Sequence, residues 1–235
     1  MKLNYTKNYL KRIKDISKYA PVYRKFKEFT MLSQKEYIEC LSLVAQFKQV
    51  KGCIIECGVW RGGMSGGIAN VMGKERSYFL FDSFEGLPEA KEIDGQSAID
   101  WQKDVKSPGY YDNCKAEMDW AERAMKKSGA DKFELVKGWF NETTPGFQLK
   151  EPIAVLRLDG DWYDSTMTCL EAFFDKVAKG GLIILDDYYV WDGCAKALHD
   201  FLAKYKKSER IMEAYSYGFP NGKGIKLTGC YLIKN

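Results

Sequence analysis

Residues 153–161 read I-A-V-L-R-L-D-G-D, and residues 182–187 read L-I-I-L-D-D. Each is a mainly apolar run that ends abruptly in two acids. Such a run reads as a strand buried on both faces of a parallel sheet, delivering carboxylates at its carboxyl end. Ligands bind along that edge in open α/β sheets. Asp159, Asp161, Asp186 and Asp187 are therefore expected to converge on one crevice. Four packed carboxylates repel one another unless a cation or a proton sits among them. A hard divalent metal held by oxygen ligands, most simply Mg2+, is the economical expectation.

The same reading extends outward from these two strands. Residues 53–57 (C-I-I-E-C), 78–82 (Y-F-L-F-D) and 133–136 (F-E-L-V) predict three more strands, and 210–216 and 229–234 predict a final pair. The glycines and proline between that pair (Gly218, Pro220, Gly222, Gly224) allow it to close antiparallel. Residues 35–49 place Tyr37, Ile38, Leu41, Val44 and Ala45 at helical spacing. Between the two acid-ending strands, Ser165 is the predicted N-cap of a helix, and Gly180-Gly181 its stop. Asp192 is the predicted cap of a later helix carrying Ala195, Leu198, Phe201 and Leu202. Strands alternating with helices imply βαβ units. The expected fold is α/β: a Rossmann-like, seven-stranded, mostly parallel sheet with helices on both faces and an antiparallel C-terminal pair. Residues 89–113 break the alternation with a polar stretch holding Trp101, Pro108, Gly109, Tyr110 and Tyr111. A connection that long in a compact domain reads as an active-site lid.

Composition bounds the rest. A chain of 235 residues with 46% hydrophobic content supports one sizeable core. The expected division is an N-terminal arm over 1–34 and a domain over 35–235. A net charge of +4 spread along the chain leaves no patch of the size that nucleic acid requires. The basic, tyrosine-containing N-terminal segment, with Ile13 and Ile16, reads as an amphipathic helix packed on the core or on a partner subunit. A homodimer or higher homo-oligomer is expected on that ground. No apolar run is long enough for a membrane span, and no signal peptide is evident, so a cytoplasmic protein is expected. Seven scattered cysteines without a C-x-x-C read as small buried hydrophobes in a reducing compartment. The single histidine, His199, leaves little room for a histidine triad or a histidine-rich zinc site.

The first strand runs into E-C-G-V-W-R-G-G-M-S (56–65). Glycines there let backbone approach a ligand at the start of the next helix. The pattern is not G-x-G-x-x-G, and the acid at Glu56 would repel a pyrophosphate but suits a ligand carrying an amine. Asp82 ends the second strand, where an acid accepts ribose hydroxyls. An amine beside strand one and a ribose beside strand two describe S-adenosylmethionine.

E-C-G-V-W-R-G-G (56–63), F-D-S-F-E-G-L-P (81–88), G-W-F (138–140), L-R-L-D-G-D-W-Y-D-S-T (156–166) and L-D-D-Y (185–188) occur in that order. Together they resemble the macrocin O-methyltransferase family (TylF/MycF type), from about Phe29 to the C-terminus. The resemblance implies an S-adenosylmethionine- and Mg2+-dependent enzyme that methylates sugar hydroxyls of natural products or glycans. It implies that Glu56 and Gly58 lie at the methionine part of the cofactor, with Ser65 near its carboxylate and Arg61 also among the cofactor-binding residues. Asp82 and Ser83 would take the ribose, and Gly138, Trp139 and Phe140 the adenine. Thr30 and Met31 would fold over the cofactor. Asp159, Asp186 and Asp187 match the family's metal positions, although the residues alone give all four acids equal standing. Where the family often has leucine, tyrosine and glutamate after D-G-D, this chain has Trp162-Tyr163-Asp164.

The implied chemistry is removal of a proton from a sugar hydroxyl by Asp159, with Asp161 as the alternative base. Tyr188, Tyr189 and Trp191 follow the acids and suit either stacking on a sugar ring or plain packing. Two rival classes stand beside this one: a Mg2+-dependent phosphoryl-ester hydrolase with paired aspartates, and a non-catalytic module that keeps the fold. A P-loop NTPase is disfavoured because no G-x-x-x-x-G-K-[ST] is present.

Overall fold

The computed structural model describes the backbone of residues 2–218 and 225–235, and the side chains of 13–214 and 227–235. Seven strands form one sheet: β1 (Cys53–Cys57), β2 (Ser77–Asp82), β3 (Lys132–Lys137), β4 (Ile153–Leu158), β5 (Val177–Leu185), β6 (Met212–Gly218) and β7 (Ile225–Ile233). Among the described residues, eight α-helices accompany them: α1 (Lys2–Phe26), α2 (Gln34–Val44), α3 (Gly63–Met72), α4 (Gln96–Lys103), α5 (Met118–Ser128), α6 (Phe140–Thr143), α7 (Tyr163–Phe173) and α8 (Asp192–Lys204). The strand order is β3-β2-β1-β4-β5-β7-β6. β1 to β5 pair in parallel, and β7 pairs antiparallel with both β5 and β6. The expected fold class holds, including the terminal pair. The loop placed around Pro220, Gly222 and Gly224 lies outside the described residues.

Alternation on the central strands divides the core between the two faces of the sheet. Ile54, Ala154, Leu182 and Ile184 pack with α2, α3 and α5 through Leu41, Ile68 and Met125. Ile55, Leu156, Ile183 and Leu185 pack with α7 and α8 through Phe173, Leu198 and Phe201. Tyr19, Phe26 and Phe29 join the first of these clusters, so the segment before residue 35 shares its core with the sheet. α2 starts at a capping box: the Ser33 hydroxyl accepts from the Glu36 amide, and the Glu36 carboxylate accepts from the Ser33 amide. The six buried cysteines are free thiols, and Cys114 is half-buried. No helix among the described residues is long and apolar enough to cross a membrane.

Three local expectations are corrected. Gly180 and Gly181 lie inside β5 rather than at a helix stop. The chain stays in the sheet there because the Gly180 amide donates to the Lys234 carbonyl and the Lys234 amide to the Gly181 carbonyl. A register shift against β4 absorbs the irregularity. Ser165 is not a cap: α7 begins at Tyr163, and the cap of its first turn comes from elsewhere in the chain, the Asp94 carboxylate accepting from the Tyr163 amide at 2.7 Å. α8 begins at Asp192 itself, with Trp191 in the N-cap position.

The segment over 89–113 is built rather than open. It contains α4, whose Trp101 packs edge-on against Trp162 and Trp191. The Trp162 indole donates to the Pro88 carbonyl, and Lys91 pairs with Asp164. These contacts set the segment across the carboxyl ends of β1, β2 and β4. That is where the strand order reverses, the place at which an open α/β sheet leaves a crevice.

Candidate active site

β4 and β5 end side by side, with the Asp186 amide donating to the Leu158 carbonyl at 2.9 Å. This register brings two acid pairs to one place. After Asp159 the chain turns sharply: the Trp162 amide reaches the Gly160 carbonyl at 2.6 Å, and Asp161 adopts φ +58°. Left-handed backbone is costly for a residue with a Cβ and clusters at functional sites. Two contacts hold Asp161 there. Its amide donates to Asp187 Oδ2 at 3.2 Å, and its Oδ1 accepts from the Trp191 indole at 2.8 Å. One carboxylate oxygen from each of Asp159, Asp161 and Asp187 lies within 4.8 Å of the others. Three hard oxygen donors in that space fit a divalent cation such as Mg2+. Burial, then the charge of Asp159, pushes the Asp161 carboxyl up to about 7. Burial also raises Asp187, with Asp161, Asp159 and Asp186 adding to the shift. Groups so displaced are those a bound cation would return to the ionised state.

Asp159 and Asp187 thus share a triangle with Asp161, while the fourth acid faces elsewhere. Asp186 Oδ1 accepts from Arg157 Nη2 at 2.5 Å. Arg157 is 1% exposed, and its Nη1 also donates to Glu56 Oε1 at 2.6 Å and Asp159 Oδ2 at 2.7 Å. One guanidinium therefore ties together the ends of β1, β4 and β5. Burial raises Glu56, opposed by Arg157 and by the Ser65 hydroxyl that donates to it. Glu56 and Ser65 are both 3% exposed. They form one buried chain of hydrogen bonds with Arg157.

Two cavities meet at this edge. One of about 200 Å³ is lined by Thr30, Met31, Glu56, Gly58, Arg157, Asp159, Asp161, Asp186 and Asp187. The other, of about 420 Å³, is lined by Gly58, Asp82, Ser83, Gly138, Trp139, Phe140 and Asp159 and roofed by Leu87 to Lys91. Gly58 and Asp159 border both. Gly58 sits at φ +89°, and a Cβ there would run into the Asp159 carbonyl. Only glycine lets β1 and β4 approach so closely at the crevice. Asp82 ends β2 on the wall of the larger cavity, with its carboxylate engaged by backbone. Oδ2 accepts from the Val59 and Trp60 amides at 2.7 and 2.8 Å, and Oδ1 from the Phe84 amide at 2.7 Å. Asp82 therefore shapes the glycine turn as well as bordering the space expected to take a ribose. Ser83 Oγ donates to the Gly86 carbonyl at 2.9 Å, which fixes the turn that starts the roof.

Two residues assigned to the cofactor lie back from the cavity walls. Ser65 is buried behind Glu56, and Arg61 stacks between Trp60 and Trp120, at 4.3 and 4.5 Å from the ring centroids. Sequence reasoning passed over Arg157, Asp94, Trp191 as a hydrogen-bond donor, and Cys114, which borders both cavities. Only Arg157 carried a sequence signal: a cation inside an otherwise apolar buried strand implies buried acids around it.

A seven-stranded sheet of this order, with its crevice at the β1–β4 switch point, is the class I methyltransferase fold. The chain is similar to the solved O-methyltransferase NovP, with TM-score 0.68 and 25% identity over 88% of this chain and 82% of that one. Residues 27–217 match the family model of macrocin-O-methyltransferase (TylF), and the chain belongs to that family. It is 32% identical over 170 residues to the 8-demethyl-8-(2,3-dimethoxy-alpha-L-rhamnosyl)-tetracenomycin-C 4'-O-methyltransferase of Streptomyces olivaceus, covering 70% of this chain and 63% of that protein. It is 31% identical over 170 residues to the mycinamicin III 3''-O-methyltransferase of Micromonospora griseorubida, covering 70% of this chain and 65% of that protein. The matched region spans under two thirds of the length of these relatives.

Proposed function

We propose that the chain is an S-adenosylmethionine- and divalent-cation-dependent O-methyltransferase acting on a sugar hydroxyl of a glycosylated small molecule. The observation that carries this reading is the convergence of Asp159, Asp161 and Asp187 on the wall of a cavity that runs past Gly58 to Asp82 and Phe140. The family match and the sugar-directed names of the relatives support the acceptor class.

S-adenosylmethionine supplies an electrophilic methyl group, and a divalent cation supplies Lewis acidity toward the acceptor hydroxyl. Trp139 and Phe140 would flank the adenine, and Ser83 and Asp82 would border the ribose. Glu56 would face the amino group across the Gly58 turn, and Thr30 and Met31 would close over the methionine part. Asp159, Asp161 and Asp187 are the residues that would hold Mg2+. The acceptor proton passes to a carboxylate at the junction of the two cavities. Asp161 suits this role by position, its carboxylate lying beside that of Asp159 and fixed by the Trp191 indole. Asp159 remains the other base that position allows. Much of the acceleration comes from holding the hydroxyl and the methyl donor together out of water, beneath the roof formed by 87–91.

Incubation with S-adenosylmethionine, MgCl2 and a panel of rhamnosylated aromatic polyketides and deoxysugar macrolides, read by mass spectrometry, tests the reading. Methylation of the sugar that is lost with EDTA is the expected result. Methylation that persists undiminished after EDTA dialysis would remove the cation from the mechanism.

A further inference from the structure

Among the described residues, five carboxylates line the smaller cavity and Arg157 is its one cationic side chain. Three observations single that arginine out. It is 1% exposed, in a strand whose other residues are all buried and apolar. Its two terminal nitrogens divide among three acids, each on a different strand end, at 2.5–2.7 Å. Its Nε is buried without an oxygen partner, and the buried Cys40 thiol lies against the guanidinium. A guanidinium set among a surplus of buried acids is placed for charge.

We propose that Arg157 is a built-in counter-cation that competes with the divalent ion for Asp159 and holds Asp186 away from it. The inference rests on the cation reading of the site. A guanidinium offers two parallel donors in a fixed fork, the geometry needed to grip two carboxylates at once. While it does so, Asp159 Oδ2 faces Nη1, and Asp186 is drawn out of the triangle formed by the other three acids. The fork crosses from the end of β1 to the end of β5. A cation arriving at Asp159 must weaken one arm of that fork, and Arg157 can then lean on Glu56, which already shares Nη1. Arg157 is thus a positioning residue that sets how tightly the site holds its ion.

The test is calorimetric titration of MgCl2 and MnCl2 into wild type, Arg157→Gln and Arg157→Lys, with melting curves in EDTA and in excess MgCl2. Arg157→Lys keeps the charge but loses the fork, so it separates a specific grip from long-range repulsion. The expected result is tighter cation binding in both variants, by about ten-fold or more for Arg157→Gln and less for Arg157→Lys. Both should melt below wild type in EDTA and recover more than wild type on adding MgCl2. Wild-type cation affinity in Arg157→Lys, or a lowered melting point that MgCl2 does not restore, would overturn the competition while leaving the cation site standing. Should Arg157→Gln fail to fold, Arg157→Lys decides alone. Cation binding in none of the three proteins would overturn this inference together with the reading beneath it.

Discussion

Asp161 is a residue whose neighbours set its chemistry. Its left-handed turn, the Trp191 indole and the Asp187 carboxylate fix its position, and burial beside Asp159 raises its pKa to about 7. Asp161→Asn should lower methyl transfer by about 10²-fold or more while leaving S-adenosylhomocysteine binding near wild type, as steady-state kinetics and calorimetry would read. The same shift predicts a stability profile. A carboxyl titrating near 7 when folded and at about 3.9 when unfolded holds more proton in the native state between those values. Metal-free protein should therefore be most stable near the acid end of that window and lose stability as pH rises through 7. Melting curves across this range should fall less steeply for Asp161→Asn, and a slope equal to wild type would contradict the assignment. D-G-D and D-D were legible as a cluster because each closes an apolar run. Their division of labour was not legible, because it depends on where Arg157 reaches. The fork sends Asp186 one way and leaves Asp161 to complete the triangle.

At the scale of elements, the roof over 87–113 and the start of α7 hold one another. Asp94 accepts from the Tyr163 amide and also from the Lys91 amide, so a single carboxylate orders a turn in the roof and caps a helix. Asp94→Ala should cost about 1 kcal/mol in chemical denaturation, the usual worth of an N-terminal cap. It should also speed release of S-adenosylhomocysteine in stopped-flow, because the larger cavity is walled by this segment. Unchanged release would confine Asp94 to a structural role. Local signals read helix α2 and strand β1 correctly, since the apolar spacing of the one and the apolar run of the other sit within the elements themselves. The same signals misread Ser165 and Gly180-Gly181. A helix cap donated from a segment far away in the chain, and a bulge closed by the C-terminal strand, leave no mark in the neighbouring sequence.

For the whole molecule, the strand order creates the site: reversal between β1 and β4 opens the crevice, and Gly58 lets the two strands meet there. Gly58→Ala should therefore abolish cofactor binding and lower the melting temperature together, since its Cβ would push the Asp159 carbonyl aside. The alternation of strands and helices was readable outside the stretch from about 89 to 130, because a doubly wound sheet writes its period into hydrophobicity. The two cavities were not, because their walls come from segments distant in sequence, such as Thr30 and Asp187. Binding of S-adenosylmethionine beside a divalent cation in the joined cavities is the property on which the proposed function stands. Calorimetric titration of S-adenosylmethionine into protein held in MgCl2 tests it most directly. One-to-one binding with a dissociation constant on the order of micromolar is expected. An absence of binding at millimolar cofactor, in protein shown to be folded by its melting curve, would contradict it.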